Sequence, residues 1–476
     1  MEDTTAFLNG DLFTDNATII ETTDKLWQSS AMDSVRPKRG SQEQARKFFS
    51  TLVLNLVLAG DEALAVPRDR AARDYQPGRY NTKGLTLNSI KYQQRLVDAG
   101  MLQMAKGSFE EGKCTTVRPL GPLHTLVEAL TPLSHLIIDG LERIEVRGRG
   151  RRIDYDDNQN TITWRETLRA HADLMGSVEV TVRLDGNEEP TLIPPQAMGY
   201  RRLFARGSWD CGGRLYCHNI QNLRRKSVKE RQTITFDGKA TVEPDFSGQH
   251  PRMLYIMEGS PRSADEDMYS AWSDVELPSG TELSAADRRA LAKLLMLCSF
   301  NAATPGEACS AVREKMNGYG HKISRADVNT LYVAMTNHHS TISHHFGSDK
   351  GVRLQRVDSD IMLLVMAEMT HRRLPCLSVH DSLICKEDDQ RIAVSLMAAA
   401  SAFYLGHPLP VDADTAVETL SLMSPLFKHE QDVAQYQQVP LGVLRLRVQP
   451  SPIEECASEY NRRVRHEEKR RKEVVY

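Results

Sequence analysis

Residues 375–386 read PCLSVHDSLICK, and this stretch is the first of two that decide the fold. Two short apolar runs, Leu377–Val379 and Leu383–Cys385, flank His380-Asp381-Ser382. Apolar runs of this length on either side of a short polar segment are typical of a β-hairpin. The pattern predicts a hairpin that carries Asp381 at its tip.

The second stretch, residues 234–255, reads ITFDGKATVEPDFSGQHPRMLY. Its Asp237-Gly238 pair is a strong signal for a two-residue hairpin turn. The second strand of this hairpin is predicted to end at Pro244 and to present Asp245 directly after it. Each stretch is therefore expected to hold one aspartate at the end of a rigid strand.

Two carboxylates on rigid strand ends can hold a pair of Mg²⁺ ions about 3.5–4 Å apart, which clamps the oxygens of an in-line phosphoryl transfer. The alternative is a pair of ordinary turns, in which aspartate is common for local reasons. The remaining motifs decide between these interpretations.

The composition excludes several classes of protein. The 476 residues are 40% hydrophobic and 26% charged, with a net charge of −3, so nucleic-acid binding would need local basic patches. The polar N-terminus is unlike a signal peptide, and no apolar run approaches the roughly 20 residues that span a membrane. The eight cysteines lack CxxC spacing, which indicates reduced thiols in an intracellular, cytoplasmic protein.

The N-terminal part is predicted to contain a flexible arm over residues 1–40 and a winged-helix domain over 41–130. Apolar spacing predicts a helix from Gln42 to Gly60, and a second helix over Leu87–Ala99 is followed by a hairpin. Lys91 and Arg95 are expected on the exposed face of the second helix. The domain would bind duplex DNA through that helix, or serve as a protein contact or spacer.

Residues 131–200 are interpreted as a helical, thumb-like or linker region. Its arginine-rich run, Arg143–Arg152, suits either a flexible phosphate-contacting loop or a solvated linker. Residues 426–476 form a charged C-terminal extension, which is either solvated or in contact with nucleic acid.

Residues 201–425 contain most of the remaining motifs. Gly212-Gly213 would allow the backbone to approach a ligand closely, and Arg214 follows with a planar, charged donor group. A nucleic-acid backbone is the expected partner of this element, and a glycine turn beside a solvated basic strand is the alternative.

A later helix is predicted to begin at Ser284, in the manner of a capping box. Arg289 and Lys293 stand four residues apart and therefore share one face of it, with Asn301 further along the same stripe. A triphosphate could bind along that face. The alternative is an exposed cationic helix surface.

Four histidines, His338, His339, His344 and His345, resemble a metal cluster. Since no cysteine or acidic residue stands at ligand spacing, they are interpreted as exposed helix or loop residues. Gln355-x-x-x-x-Asp360 precedes an apolar helix, Ile361–Met369.

The order of these motifs, from the Gly-Arg element through the Asp245 strand, the Arg-xxx-Lys helix and Gln355 to His380-Asp381-Ser382, resembles the palm shared by family A DNA polymerases and bacteriophage-type single-subunit RNA polymerases. The resemblance covers about residues 201–386. It implies an α+β right-hand palm with helical fingers.

The resemblance also implies a role for each motif residue. Asp245, Asp381 and the carbonyl of Phe246 would hold two Mg²⁺ ions, with Mn²⁺ as a substitute. The implied nucleotide-binding residues are Arg289, Lys293, Asn301 and His250, and His380 would support the primer terminus. The implied nucleic-acid contacts are Arg214, Tyr216, Gln221 and Gln355, in addition to Lys91 and Arg95.

The two polymerase branches are harder to separate. Asp210-x-x-Gly213-Arg214-x-Tyr216 and Ser382 resemble the RNA polymerase branch, whereas Asn219-x-Gln221-Asn222 and Gln355-x-x-x-x-Asp360 resemble the DNA branch. Both branches carry a tyrosine where this chain has Asn301, which puts sugar discrimination in doubt.

The expected function is template-directed nucleotidyl transfer, with RNA synthesis on DNA favoured over DNA synthesis or priming. The expected partners are a DNA template, an RNA or DNA product strand, nucleoside triphosphates and a partner protein subunit. The expected context is a prokaryotic cell, a phage or a plasmid. The alternative from another class is a non-catalytic nucleic-acid-binding regulator built on a decayed palm.

Overall fold

A computed structural model describes residues 5–8, 12–37, 42–66, 80, 86–108, 113–140, 142–149, 151–184, 189–193, 198–223, 229–270, 275–318, 323–413 and 415–437. The fold is mixed α and β, and the chain divides into two compact units. The first unit comprises residues 1–143 and 193–199, and the second comprises residues 144–192 and 200–476. No helix in the described part of the chain is both long enough and apolar enough to cross a membrane.

The first unit contains ten regular elements within its described residues. In chain order they are β1 (Thr5–Phe7), β2 (Leu12–Phe13), α1 (Ala17–Gln28), α2 (Gln42–Ala59), β3 (Ala63–Ala65), α3 (Asn88–Asp98), β4 (Leu102–Ala105), β5 (Thr116–Pro119), α4 (Gly121–Leu130) and β6 (Ile138–Asp139). Short 3-10 helices cover Ser30–Met32 and Thr131–Leu136. One sheet has the strand order β1-β3-β5-β4, and β2 pairs with β6.

Helix α2 forms the centre of the first unit's core. Its apolar residues recur at helical spacing, and Phe48, Phe49 and Leu52 are buried together with Ile19 and Trp27 of the α1 segment. Residues 12–37 are therefore part of a packed core, and the prediction that they belong to a flexible arm is wrong. The reason is that α1 carries an apolar face of its own.

Helix α3 is followed by an antiparallel β4–β5 hairpin, in which Leu102 pairs with Pro119 and Ala105 with Thr116. Lys91 is exposed on α3, as predicted. Arg95 is not, because its guanidinium donates a hydrogen bond to the carbonyl of Val35 over 3.1 Å.

The second unit begins with β7 (Ile144–Gly148), β8 (Arg151–Arg152), α5 (Gln159–Met175), β9 (Val180–Val182), β10 (Thr191–Leu192), β11 (Arg201–Phe204), β12 (Gly212–Tyr216) and α6 (His218–Gln221). It continues with β13 (Thr235–Phe236), β14 (Lys239–Val242), β15 (Asp245–Phe246), α7 (Gln249–Met257), α8 (Ala285–Asn301), α9 (Pro305–Gly318) and α10 (Arg325–His338). The last elements are α11 (Gly351–His371), β16 (Cys376–Val379), β17 (Ser382–Lys386), α12 (Gln390–Leu405), β18 (Val411–Asp412) and α13 (Pro425–Gln437). Short 3-10 helices cover Glu230–Thr233, Ser340–His345 and Glu387–Asp389.

The arginine-rich run is a β-hairpin, since β7 pairs with β8. Buried Glu145 holds this hairpin through ion pairs with Arg147, Arg152 and Arg201. The run is therefore neither the flexible loop nor the linker that the sequence analysis expected, and its contact with phosphate stays a prediction. Of the predicted C-terminal extension, the part beyond Gln437 lies outside the described residues.

Two sheets organise the second unit. One has the order β12-β11-β7-β8, and the other has the order β10-β9-β13-β14-β17-β15-β18, with β16 also paired to β17. Strands β14 and β15 both pair with β17, and Glu243-Pro244 separates them. The sequence analysis predicted one strand up to Pro244, but a proline has no N–H to continue the ladder, and pairing resumes only at Asp245.

Helix α11 is buried on nearly every face and packs against β12, α5 and α12. It starts ten residues before the predicted apolar helix, at Gly351, so that Gln355 and Asp358 are helical. The buried positions include charged residues, among them Arg356, Asp358, Asp360 and Glu368. Each buried charge needs a partner, because burial of an unpaired charge is costly.

Candidate active site

The backbones of Asp245 and Asp381 are neighbours. Asp245 is opposite Ser382 in the antiparallel register of β15 and β17. The amide of Phe246 donates to the carbonyl oxygen of Asp381 over 3.3 Å, and the amide of Leu383 donates to the carbonyl of Pro244 over 3.0 Å. The two predicted aspartates are thus placed side by side by strand pairing, and both are partly exposed.

The turn between β16 and β17 consists of His380 and Asp381, since Val379 pairs directly with Ser382. His380 has a left-handed φ of 58°, which is uncommon for a residue other than glycine. Its ring makes an edge contact with the ring of Tyr216, at a centroid distance of 6.1 Å. Burial, and then the charge of Arg214, lowers the pKa of His380, so the imidazole is neutral at pH 7.

Below this turn, the buried carboxylate of Asp358 joins three elements. It accepts hydrogen bonds from Arg214 Nε and Nη2 of β12, at 3.2 and 2.5 Å, and it lies 2.8 Å from His250 Nε2 of α7. Burial alone would raise the pKa of Asp358, but Arg214 and His250 hold it below its usual range. Two predicted contact residues, Arg214 and His250, are therefore anchored by an aspartate that the sequence analysis did not single out.

A third carboxylate, Glu243, lies beside the aspartate pair. The hydroxyl of Ser382 donates to Glu243 Oε1 over 2.7 Å, and Arg231 forms an ion pair with the same oxygen at 3.2 Å. Glu243 lies two residues before Asp245, in the short segment between β14 and β15, and this closeness in the sequence was the signal that could have identified it.

Gly213 of the Gly212-Gly213 pair packs closely against helix α11, and the predicted approach of this pair to a ligand stays a prediction. Gly213 has φ +77°, and a Cβ there would lie 3.0 Å from Phe204 Cε1 and from Ser359 Oγ. Arg202 reinforces this contact, since its guanidinium donates to the Gly213 carbonyl and forms an ion pair with Asp360. The glycines therefore let β12 pack closely on α11, which positions Arg214.

The cations of α8 share one face, as predicted. Ser284 caps the helix by accepting a hydrogen bond from the amide of Asp287. The ring centroid of Tyr269 lies 5.3 Å from Arg289 Cζ and 5.8 Å from Lys293 Nζ. Both nitrogens Nε and Nη2 of Arg289 also bind the carboxylate of Asp267, at 2.7 and 3.1 Å.

The other predicted contact residues have diverse surroundings. Asn301 ends α8, and its amide donates to the Leu297 carbonyl of the same helix over 2.8 Å. Gln221 donates to the carbonyl of Leu215 over 2.7 Å. Gln355 is partly exposed on α11, one turn before Asp358. These contacts give Asn301 and Gln221 structural roles, and the predicted nucleotide and nucleic-acid roles remain predictions.

The histidine-rich segment is less exposed than expected, because His339 and His345 are buried. Glu258 supplies the acidic partner that local spacing does not show: its Oε1 lies 3.2 Å from His344 Nε2 and 2.9 Å from His345 Nε2. However, Lys350 Nζ lies 2.6 Å from His345 Nδ1. An ammonium group can only donate, so Nδ1 accepts and the proton of His345 is on Nε2, facing Glu258. This tautomer opposes metal binding by His345.

The Asp245–Asp381 pair does suit a hard divalent cation. Carboxylate and carbonyl oxygens are the ligands that Mg²⁺ prefers. The neighbouring imidazole of His380 is neutral, and the positive charge of Arg214 is compensated by Asp358. The donor set and its surroundings therefore fit Mg²⁺.

No protein-family model matches this chain, and no curated protein matches it either. Among solved structures, the chain is similar to the POL domain of Pol1 from M. smegmatis in complex with DNA primer-template and dNTP. The identity is 11% and the TM-score is 0.31, over 84% of this chain. The chain spans 66% of the length of that structure.

Proposed function

We propose that this protein is a nucleotidyltransferase that extends a nucleic-acid strand on a template, with Asp245 and Asp381 as its metal-binding carboxylates. The observation that carries the proposal is the pairing of β15 with β17, which sets two partly exposed aspartates side by side. Mg²⁺ ions bound there would stabilise the charge that develops on the attacking and leaving oxygens of a phosphoryl transfer.

The chain's own residues would bind and orient the nucleotide. Arg289 and Lys293 present two positive charges on one helix face, where they would neutralise a triphosphate. Burial, and then the charge of Asp381, raises the pKa of Tyr269, whose ring contacts both cations. This electrostatic coupling supports a single site that contains both the cations and the carboxylates.

Within this proposal, RNA synthesis on a DNA template is the first candidate, and DNA synthesis or priming is the second. Ser382 supplies a hydroxyl next to Asp381, and its partner Glu243 is engaged by Arg231. No glutamate adjoins His250 in the sequence to exclude a ribose 2′-hydroxyl. The winged-helix assignment of the first unit, with Lys91 as its exposed cation, is part of the same proposal.

The test is extension of a defined DNA template with Mg²⁺, in parallel with rNTPs and dNTPs, with and without a primer. We expect product from the wild-type protein and none from Asp245→Asn or Asp381→Asn. Asp388→Asn is the matched control, because Asp388 forms an exposed ion pair with Lys239 on the surface.

Product from rNTPs alone would establish RNA synthesis, and product only from dNTPs on a primer would establish DNA synthesis. Tight duplex binding without product under any condition would refute catalysis and favour a nucleic-acid-binding regulator. Undiminished product from both aspartate variants would refute the assignment of the site.

A further inference from the structure

The segment between α7 and α8 is held in one conformation by specific hydrogen bonds and packing that the sequence motifs do not explain. Buried Arg252 of α7 donates hydrogen bonds to the carbonyls of Ser263, Ala264 and Glu266, at 2.8, 3.0 and 2.6 Å. A Cβ at Gly248 would lie 2.9 Å from Met268 Cγ, so this glycine, at φ +57°, lets the buried Met268 pack against the start of α7. We call residues 262–269 the bracing loop.

The bracing loop ends at the cationic face of α8. Asp267 Oδ1 accepts the amide of Tyr269 over 3.1 Å, and the same carboxylate binds Arg289 through two nitrogens. The ring of Tyr269 is thereby held against Arg289 and Lys293. Contacts from Arg252, Gly248 and Asp267 thus hold the backbone of the bracing loop that carries Tyr269.

Tyr269 also lies within the electrostatic reach of the aspartate turn. Burial, followed by the charge of Asp381, raises the pKa of Tyr269 to about 12. The phenol is therefore neutral at physiological pH and available as a hydrogen-bond donor. Because the ring of Tyr269 lies against Arg289 and Lys293, a triphosphate bound by these two cations would lie next to this side chain.

We propose that Tyr269 contacts the incoming nucleoside triphosphate and forms one wall of its binding site beside the α8 cations. This inference rests on the proposed nucleotidyl transfer and adds a specificity residue to it. The hydroxyl of Tyr269 donates to an oxygen of the sugar-phosphate part of the nucleotide. Asp267 occupies the Arg289 guanidinium until the triphosphate displaces it.

Two variants are expected to change the nucleotide KM in opposite directions. Tyr269→Phe removes only the hydroxyl, and loss of one hydrogen bond to a charged group is expected to raise the nucleotide KM about tenfold or more. Asp267→Asn keeps an oxygen for the Tyr269 amide but removes the negative charge that competes for Arg289, so it is expected to lower the KM several-fold. Tyr332→Phe, on α10, is the matched control for the loss of a phenol, and its KM is expected to be unchanged.

The experiment measures KM and kcat for ATP and dATP in template-directed extension, together with binding of Mg·ATP by calorimetry and primer-template binding. We expect Tyr269→Phe to weaken nucleotide binding, to change the ATP-to-dATP ratio of kcat/KM, and to leave duplex binding unaltered. Unchanged KM and Mg·ATP affinity in both Tyr269→Phe and Tyr269→Ala would overturn the inference.

Calorimetric measurement of Mg·ATP binding separates the proposed Tyr269 contact from the proposed polymerase activity. If the wild-type protein extends no template but binds Mg·ATP, and Tyr269→Phe weakens that binding, the nucleotide contact is supported and the polymerase proposal fails. If the wild-type protein extends a template and Tyr269 substitutions change nothing, the polymerase proposal holds and the contact is refuted. Failure of the wild-type protein to bind Mg·ATP would refute the contact as well.

Discussion

Replacement of Asp358 with asparagine isolates the charge that supports the candidate site. The substitution keeps the size of the side chain and one oxygen acceptor, but it removes the negative charge from a position with 0% side-chain exposure. Arg214, with 19% side-chain exposure, and His250 would then lose their common partner. Arg214 would remain largely buried, next to the turn that carries Asp381.

The expected loss of unfolding free energy in Asp358→Asn follows from the burial of the Asp358–Arg214 ion pair. Removal of one partner of a buried ion pair costs about 3–5 kcal/mol, because the other charge is left buried without compensation. Since the asparagine oxygen still accepts one hydrogen bond, we expect a loss near the lower limit, about 3 kcal/mol. Since the shift per kcal/mol falls with chain length, to roughly 1–2 °C for a unit of more than 300 residues, the midpoint of thermal unfolding should fall by about 3–6 °C.

The measurement is urea unfolding of wild type, Asp358→Asn, Arg214→Gln and the double variant, which gives the coupling energy between the two residues. A loss below about 1 kcal/mol in Asp358→Asn, or additive effects in the double variant, would contradict the reasoning. Asp388→Asn, at an exposed ion pair, should leave stability unchanged.

The pH dependence gives an independent check of the same prediction. The pKa of Asp358 is lower in the folded protein than the unfolded value of about 3.9, so the unfolded state binds the proton first as the pH falls. Its contribution to stability is complete above about pH 4 and is lost as the pH falls through the folded pKa. The difference in unfolding free energy between wild type and Asp358→Asn should therefore be largest near neutral pH and shrink in acid. A difference that grows below pH 4 would show that the sign is wrong.

Three further predictions concern other parts of the second unit. Gly213→Ala should destabilise the protein more than Gly238→Ala in denaturant unfolding. Both glycines have positive φ, but only at Gly213 would the new Cβ meet atoms at 3.0 Å. Equal losses of unfolding free energy in the two variants would contradict close packing on α11. Asn301→Ala should leave the nucleotide KM nearly unchanged, because its amide is bonded to its own helix, and a large increase would support its predicted nucleotide role. Zn²⁺ should not raise the melting temperature of the wild-type protein. It should raise the melting temperature of Lys350→Met, because His345 Nδ1 no longer accepts a hydrogen bond from an ammonium group in that variant. Stabilisation of the wild type by Zn²⁺ would contradict the assigned tautomer.

The sequence predicted those features that local patterns determine. Helix α2 was predicted to end one residue later than it does, and both hairpin turns were located because Asp237-Gly238 and His380-Asp381 lie between short apolar runs. Residues four apart on a helix share a face for geometric reasons alone, which is why Arg289 and Lys293 were placed together. These inferences required no knowledge of distant parts of the chain.

The failures share a different physical origin. The Arg95 guanidinium donates a hydrogen bond to the carbonyl of Val35, and Gly213 faces Ser359 of α11. Each of these contacts joins segments that are far apart in sequence, and the local pattern of an exposed arginine or a ligand-binding glycine is the same with or without them. The role of Asp358 was missed for this reason, since its partners lie 144 and 108 residues away.

The buried carboxylates of α11 suggest how two separate strands can hold a site in register. Each carboxylate is paired with a different part of the second unit: Asp358 binds β12 and α7, Asp360 binds Arg202 of β11, and Glu368 accepts the amides of Met423 and Ser424 at 2.7 Å. A buried charge tolerates little displacement of its partner, because separation leaves the charge uncompensated in a medium of low polarity. The α11 helix therefore fixes the positions of the segments around it more strictly than apolar packing alone would. Since β16 follows α11 directly, the same constraint extends to the turn that carries Asp381 beside Asp245.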